Sequence, residues 1–176
     1  SIGVDTDNDG VNDTFTGVTT NAGAATIWGI EFEGNATFAQ DVINDGDLFN
    51  ASWSLGYLDA SYDEYIDAFG NDVADQRVIQ NTPDWTASLR LAYDTPFNLG
   101  MNEGNLLANV MASSRGDSSQ FETPSAYLDQ EAYTLLDASI RWETADGRYG
   151  LTLSGKNLTD ERYIVAGYNF TNEATN

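Results

Sequence analysis

Apolar and polar side chains alternate along most of this chain with a period of two. From Phe49 the odd positions read Phe49, Ala51, Trp53, Leu55 and Tyr57, while Asn50, Ser52, Ser54 and Gly56 fill the even ones. Trp85, Ala87, Leu89, Leu91 and Tyr93 repeat the pattern against Thr86, Ser88, Arg90, Ala92 and Asp94. Leu106, Ala108, Val110 and Ala112 continue it with a more mixed second face. Leu136, Ala138, Ile140 and Trp142, then Tyr149, Leu151 and Leu153, follow, and Trp28, Ile30 and Phe32 precede. Successive side chains of an extended strand point to opposite faces, so these runs predict six β-strands. No comparable stretch shows the 3.6-residue period of a helix. The chain reads as all-β.

The two faces differ in more than polarity. The apolar stripes carry no charge, whereas the opposite faces carry Glu31, Glu33, Arg90, Asp94, Asp137, Arg141, Glu143 and Lys156. Aromatic residues sit near the stripe ends, with Phe49 and Tyr57 on one strand and Trp85 and Tyr93 on another. At ~3.3 Å per residue their separation is roughly 26 Å of extended chain, close to the height of a membrane's apolar band. Rings with an apolar body and a polar tip favour the lipid–water boundary, which accounts for one set at each end. A soluble sandwich also alternates, with its apolar faces as the core. Connection lengths separate the two. Segments 41–47, 94–105 and 143–148 are modest, while 1–23, 62–83 and 114–131 are long. An up-and-down outer-membrane barrel sorts its connections this way, with tight turns on one side and long loops on the other; a Greek-key sandwich has no reason to. The expected fold is an antiparallel up-and-down transmembrane β-barrel, present as a partial barrel of about seven strands.

Composition removes other functions. The 176 residues include 28 acidic and 7 basic side chains, for a formal net charge of −21, with no histidine and no cysteine. Disulfides, thiol nucleophiles, cysteine-ligated metals and imidazole bases are thereby excluded. Nucleic acid is not an expected partner, because so acidic a surface repels phosphate. No run is long and apolar enough for a membrane helix, and the opening residues lack the basic start and apolar stretch of an export signal. The many carboxylates include no pair marked out by context, so no enzyme activity is expected.

The C-terminal third carries residues specific enough to name a family. Leu135-Leu136-Asp137-Ala138-Ser139-Ile140-Arg141-Trp142, a short turn, and Leu151-Thr152-Leu153-Ser154-Gly155-Lys156-Asn157-Leu158-Thr159-Asp160-Glu161-Arg162-Tyr163 resemble TonB-dependent receptors near the end of their barrel. There an Asn-Leu-x-Asp-x-x-Tyr element follows a strand. Gly29-Ile30-Glu31-Phe32-Glu33, Gly56-Tyr57-Leu58-Asp59-Ala60 and Asn81-Thr82-Pro83-Asp84-Trp85 resemble further family strands in the same order. The resemblance implies an outer-membrane barrel of about 22 strands with a plug domain in its lumen. It also implies import of bulky nutrients such as iron–siderophore complexes, driven by the TonB complex of the inner membrane. On this reading, residues 1–176 are a C-terminal portion of such a receptor, without the plug domain, in the outer membrane of a Gram-negative bacterium. The partners implied are outer-membrane lipid, a bulky nutrient ligand, and the TonB complex through an N-terminal region missing from this stretch. The resemblance places turns 41–47, 96–104 and 144–148 on the periplasmic side and the long connections outside.

One motif lies apart from that reading. Asp5-Thr6-Asp7-Asn8-Asp9-Gly10-Val11-Asn12-Asp13 fits a DxDxDGxxD calcium loop, with Asp5, Asp7, Asp9 and Asp13 supplying carboxylates and Val11 a carbonyl. Thr16 stands where a full EF-hand has a bidentate acid, so the loop resembles thrombospondin-type or dockerin-type repeats. The plainer reading is a solvated acidic loop within the external segment 1–23. No cofactor is required, and calcium here is the only one suggested. The alternative function is a soluble extracellular calcium-binding β module without transport activity. Arg90, Arg141 and Lys156 are expected to pair across strands with acids such as Asp94, Asp137 and Glu143. Tyr62, Tyr65, Phe69, Phe121, Tyr127 and Tyr168 fall in the long connections, where they either line a ligand vestibule or pack their own loops.

Overall fold

A computed structural model describes residues 2–4, 14–16 and 23–168. Two short strands, β1 (Ile2–Val4) and β2 (Thr14–Thr16), form an antiparallel pair with Ile2 opposite Thr16 and Val4 opposite Thr14. Six more strands make one sheet: β3 (Ala24–Gln40), β4 (Leu48–Glu64), β5 (Trp85–Pro96), β6 (Gly104–Arg115), β7 (Tyr133–Thr144) and β8 (Gly150–Gly155). Each pairs antiparallel with its neighbour in sequence, so the meander runs up and down and stays open, with β3 and β8 at its margins. Segment 1–23 was expected to be loop throughout; three-residue strands are too short for alternation to reveal.

Register joins the separate apolar stripes into a single face. Trp53 stands opposite Leu89, Leu89 opposite Ala112, Val110 opposite Ala138, and Ile140 opposite Leu153. No second layer covers this face. Among the described residues the one buried apolar side chain is Trp142, at 8% exposure, while Ile30, Phe32, Leu55, Leu91, Leu151 and Leu153 are all exposed. A soluble domain of this length would hide such side chains in a core, so the sandwich reading fails. Aromatic rims bound the belt. At the long-loop end Trp28 lies 5.6 Å from Tyr57, which stands opposite Trp85. At the short-turn end Phe49 lies 6.0 Å from Phe38 and 4.6 Å from Tyr93.

The reverse face is mostly polar, with short hydroxyl and amide side chains among its charged residues. Thr37 donates to Asn50 at 2.7 Å, and Asn109 to Ser139 at 2.7 Å. Arg141 pairs with Glu143 two residues along its own strand, not across to a neighbour. The other expected acids are engaged elsewhere: Asp94 accepts the Asn105 amide, and Asp137 accepts the Asn157 N–H at 2.8 Å. Arg90 and Lys156 have no ion pair among the described residues, contrary to the pairing expected for them.

The short turns are held by specific side chains. Asp47 is fully buried, and its carboxylate accepts the N–H groups of Val42, Ile43 and Asn44 at 2.9, 2.8 and 2.9 Å. The Tyr93 hydroxyl donates to it at 3.2 Å, tying the turn to the aromatic rim. Burial alone would push this carboxyl up, but those donors hold it below the usual aspartate value. Gly46 takes φ +84 here, a left-handed conformation that suits glycine. Turn 97–103 folds under Trp142, whose indole N–H donates to the Phe97 carbonyl at 2.8 Å. In turn 145–149, Asp146 accepts the Thr144 hydroxyl at 2.8 Å and the Arg148 N–H at 3.1 Å.

β3 and β4 run 17 residues each, against 12 for β5 to β7. Their extra length projects past the upper rim, where the faces exchange character. Below Tyr57 the odd positions of β4 are apolar; above it they become Asp59, Ser61 and Asp63, and Leu58, Ala60 and Tyr62 take the even ones. Trp28 donates to Asp59 at 3.1 Å and Thr26 to Asp63 at 2.7 Å across this polar extension. Tyr62, expected in a loop, is therefore a strand residue.

Candidate ligand vestibule at the long-loop end

Three long segments, 65–84, 116–132 and 156–168, gather at the end of the sheet beyond Trp85. Each is ordered first from within. In 65–84, Asp67 accepts the N–H groups of Phe69 and Asn71, both at 2.8 Å, around Gly70 at φ +84. The Asn71 N–H leads the interactions that hold the Asp67 carboxyl below its ordinary value, against partial desolvation. A single 3-10 turn, Ala74–Gln76, follows. In 116–132, Ser118 and Gln130 exchange backbone hydrogen bonds of 2.9 Å, and Asp129 accepts the Ser125 N–H at 3.0 Å.

The family-like element 157–163 owes its pattern to a turn. Asn157 sits at φ +48, where asparagine is better tolerated than most residues, and its amide bonds Glu161 twice, donating to the carbonyl and accepting from the N–H at 2.9 Å each. The Leu158 N–H returns to the Leu136 carbonyl at 2.7 Å. Gly155 leaves the space that Leu158 fills, since a Cβ there would lie 2.6 Å from Leu158 Cδ2. The turn delivers Tyr163 onto Tyr133 of β7, with rings stacked at 4.7 Å and 10°. Asn, Leu and Tyr in this spacing thus fasten the segment after β8 to the sheet.

The segments then bind one another. Val78 donates to the Glu122 carbonyl at 2.9 Å, Asn81 to Ser119 at 2.7 Å, and Arg77 to the Thr123 hydroxyl at 2.6 Å. Ile164 donates to the Gln130 side chain at 2.5 Å, and Gln120 to the Val165 carbonyl at 3.4 Å. Beneath this roof lies a cavity of about 140 Å³ walled by Arg115, Gln120, Gln130, Tyr133, Tyr163 and Val165, with four further residues. Arg115 donates to Ser118 Oγ at 3.1 Å, and its Cζ lies 5.9 Å from the Tyr133 ring centre.

Of the loop aromatics singled out by sequence, Phe121 and Tyr168 meet at 6.1 Å and join two segments. Tyr62 and Tyr65 pack edge to face, with Arg77 over Tyr65. Phe69 and Tyr127 point outward, Phe69 at 90% exposure. None of the six walls the cavity. Arg115, Gln120, Gln130 and Tyr133 do, and sequence reasoning passed over them; the available signal was an arginine closing β6 on the polar face. The calcium motif of Asp5, Asp7, Asp9, Val11 and Asp13 lies outside the described residues, between strands β1 and β2. Among the described residues no group of three acids is placed to hold a metal.

An unlayered up-and-down sheet with an apolar belt between two aromatic rims, a polar reverse face and long loops at one end is part of the wall of a transmembrane β-barrel. The sequence agrees: residues 2–158 match the family described as TonB dependent receptor-like, beta-barrel, and the chain belongs to that family. The family consists of outer-membrane barrels of TonB-linked transport, and its members are transporters rather than enzymes. No solved structure matches the chain.

Proposed function

We propose that this chain forms part of the barrel wall of a receptor that imports a bulky nutrient, such as an iron–siderophore complex, using energy delivered by TonB. The apolar belt faces outer-membrane lipid, the serine- and asparagine-rich face lines the lumen, and the gathered long segments form the outer mouth. The observation that carries this reading is the bare apolar belt, ending at aromatic rims, with segments 65–84, 116–132 and 156–168 all at one end of it. A soluble calcium-binding module would have to leave that belt in water, which its size makes untenable.

Cysteine labelling tests the orientation on a chain that has no cysteine of its own. Phe69→Cys, in a long loop, is expected to react with a membrane-impermeant maleimide on intact cells. Met101→Cys, fully exposed at a short turn, is expected to react only after lysis. The reverse pattern would overturn the assignment. Uptake is tested by growth of a receptor-deleted strain, with and without the gene restored, on a panel of iron complexes and other bulky nutrients. Restoration that persists when TonB is removed would refute the energy coupling.

A further inference from the structure

The buried side chains among the described residues gather in one corner of the sheet. They are Asp47, Thr95, Trp142 and Thr144, all at the short-turn end. Thr95 stands opposite Leu106 and Leu106 opposite Trp142, so register sets them in one row of the apolar, outward face. Thr144 follows Trp142 by two residues and shares that face. Two turns fold outward to cover the row. In turn 41–47 the Asn44 amide donates to the Tyr93 hydroxyl at 3.2 Å and to Thr95 Oγ1 at 3.4 Å. A Cβ on Gly46 would lie 3.3 Å from Pro96 Cγ, so this turn rests on the end of β5. In turn 97–103 the Phe97 carbonyl takes the Trp142 indole N–H at 2.8 Å, and the Glu103 carbonyl takes the Ala145 N–H at 2.9 Å.

What the turns hide is mainly polar, and what they show includes large apolar side chains. The Val42 and Ile43 N–H groups bond the Asp47 carboxylate, while their side chains are 65% and 66% exposed. Phe97 and Leu99 are exposed in the next turn. A tight turn needs glycine, proline, asparagine or aspartate for its backbone and gains nothing in water from valine, isoleucine, phenylalanine or leucine. The height of the belt supplies the reason for them. Rim to rim, β4 and β5 span roughly 26 Å along the strand; at a tilt of ~35–45° this is about 20 Å along the membrane normal, against an apolar band of ~25 Å. We propose that turns 41–47 and 97–103 form a collar seated in the head-group–acyl boundary of the periplasmic leaflet, with Val42, Ile43, Phe97 and Leu99 against phospholipid. The collar continues the lipid-facing belt past Phe38, Phe49 and Tyr93 and supplies the missing ~5 Å. Asp41 and Asp45 flank the apolar pair, which suits the boundary and not the hydrocarbon interior. The collar rests on the belt facing lipid.

The test places a nitroxide on Ile43→Cys, Leu99→Cys, Leu89→Cys and Phe69→Cys, each the sole cysteine of the intact receptor in dimyristoylphosphatidylcholine nanodiscs. Collisions with oxygen, which concentrates in hydrocarbon, are compared with collisions with a water-soluble nickel chelate. Oxygen is expected to dominate at 89 and nickel at 69; positions 43 and 99 should fall between them, with oxygen ahead. Nickel ahead at both turns, as at 69, would overturn the collar. Shielding from both colliders would overturn it too, because protein and not lipid would then cover the turns. A second measurement needs no label. Ile43→Ser combined with Leu99→Ser should lower the folding equilibrium about tenfold in dimyristoyl vesicles, and far less in thinner didecanoyl ones. An equal loss in the two lipids would refute the height argument. A water signature at 43 and 99 with a hydrocarbon signature at 89 removes the collar and leaves the barrel wall standing. A water signature at 89 removes the barrel wall itself.

Discussion

Leu89 and Ser88 are consecutive residues of β5 whose side chains enter different solvents if the apolar belt meets lipid. Leu89 lies midway between the rim residues Trp85 and Tyr93, opposite Trp53 and Ala112, and is 45% exposed. Ser88 stands between Ser54 and Ser113 on the polar face. Leu89→Ala removes a half-buried side chain and should cost about 1 kcal/mol, half the value of full burial. Leu89→Arg adds a charge near the midplane of the hydrocarbon, worth roughly 2–4 kcal/mol in a transmembrane barrel. Ser88→Arg places the same charge in the lumen and should cost less than about 1 kcal/mol. Urea titrations of the receptor refolded into phosphatidylcholine vesicles, followed by tryptophan fluorescence, measure all three. The difference between Leu89→Arg and Leu89→Ala isolates the charge. Equal penalties at positions 88 and 89, or a larger one at 88, would refute the assignment of faces.

Three further outcomes follow from local geometry. Gly104→Ala places a Cβ 2.5 Å from the Glu143 carbonyl oxygen and 2.7 Å from Trp142 Nε1, so about 1–3 kcal/mol of stability should be lost. A shifted Trp142 emission on the same denaturant titration would report it. Asp47, Asp67 and Asp146 all have folded pKa values depressed below their usual 3.8. The stability they contribute is full above about pH 4 and is lost as pH falls through the lower folded values. Limited proteolysis at 65–72 should therefore accelerate on acidification, and Asp67→Asn should accelerate cleavage at neutral pH and flatten its pH dependence. Asn157→Ala removes both bonds to Glu161 and strains a left-handed residue, costing about 1–3 kcal/mol locally; faster hydrogen exchange at Leu158 and Ile164 would show the segment coming away from Tyr133.

The sheet was legible because alternation is strict wherever one face meets hydrocarbon and the other polar groups. The ends of β3 and β4 were not. Past Tyr57 the apolar side chains move from odd to even positions, so a continuous strand reads as a broken pattern. Arg141 found Glu143 along its own strand because residues two apart share a face, a pairing that a search across strands overlooks. The 157–163 element identified the family without explaining itself; its logic lies in the positive φ of Asn157 and the Tyr133–Tyr163 stack. Arg115 was hidden by proximity in sequence, since Asp117 two residues on suggests an ion pair that does not form among the described residues. Such long-range placement is a property of packed loops and leaves no periodic trace.

The two margins of the sheet carry a final consequence. Among the described residues, β3 between Trp28 and Phe38 has a paired side and a bare one, and about half of its peptide groups point to the bare side. In hydrocarbon each such group forgoes several kcal/mol, so even this short stretch sums to tens of kcal/mol, beyond the ~5–15 kcal/mol that holds a typical domain folded. β8, six residues long, adds a smaller cost on the far side. Entry into the bilayer and completion of the ring must therefore be a single event: the wall crosses in company with strands that zip both its flanks, or it stays in the water.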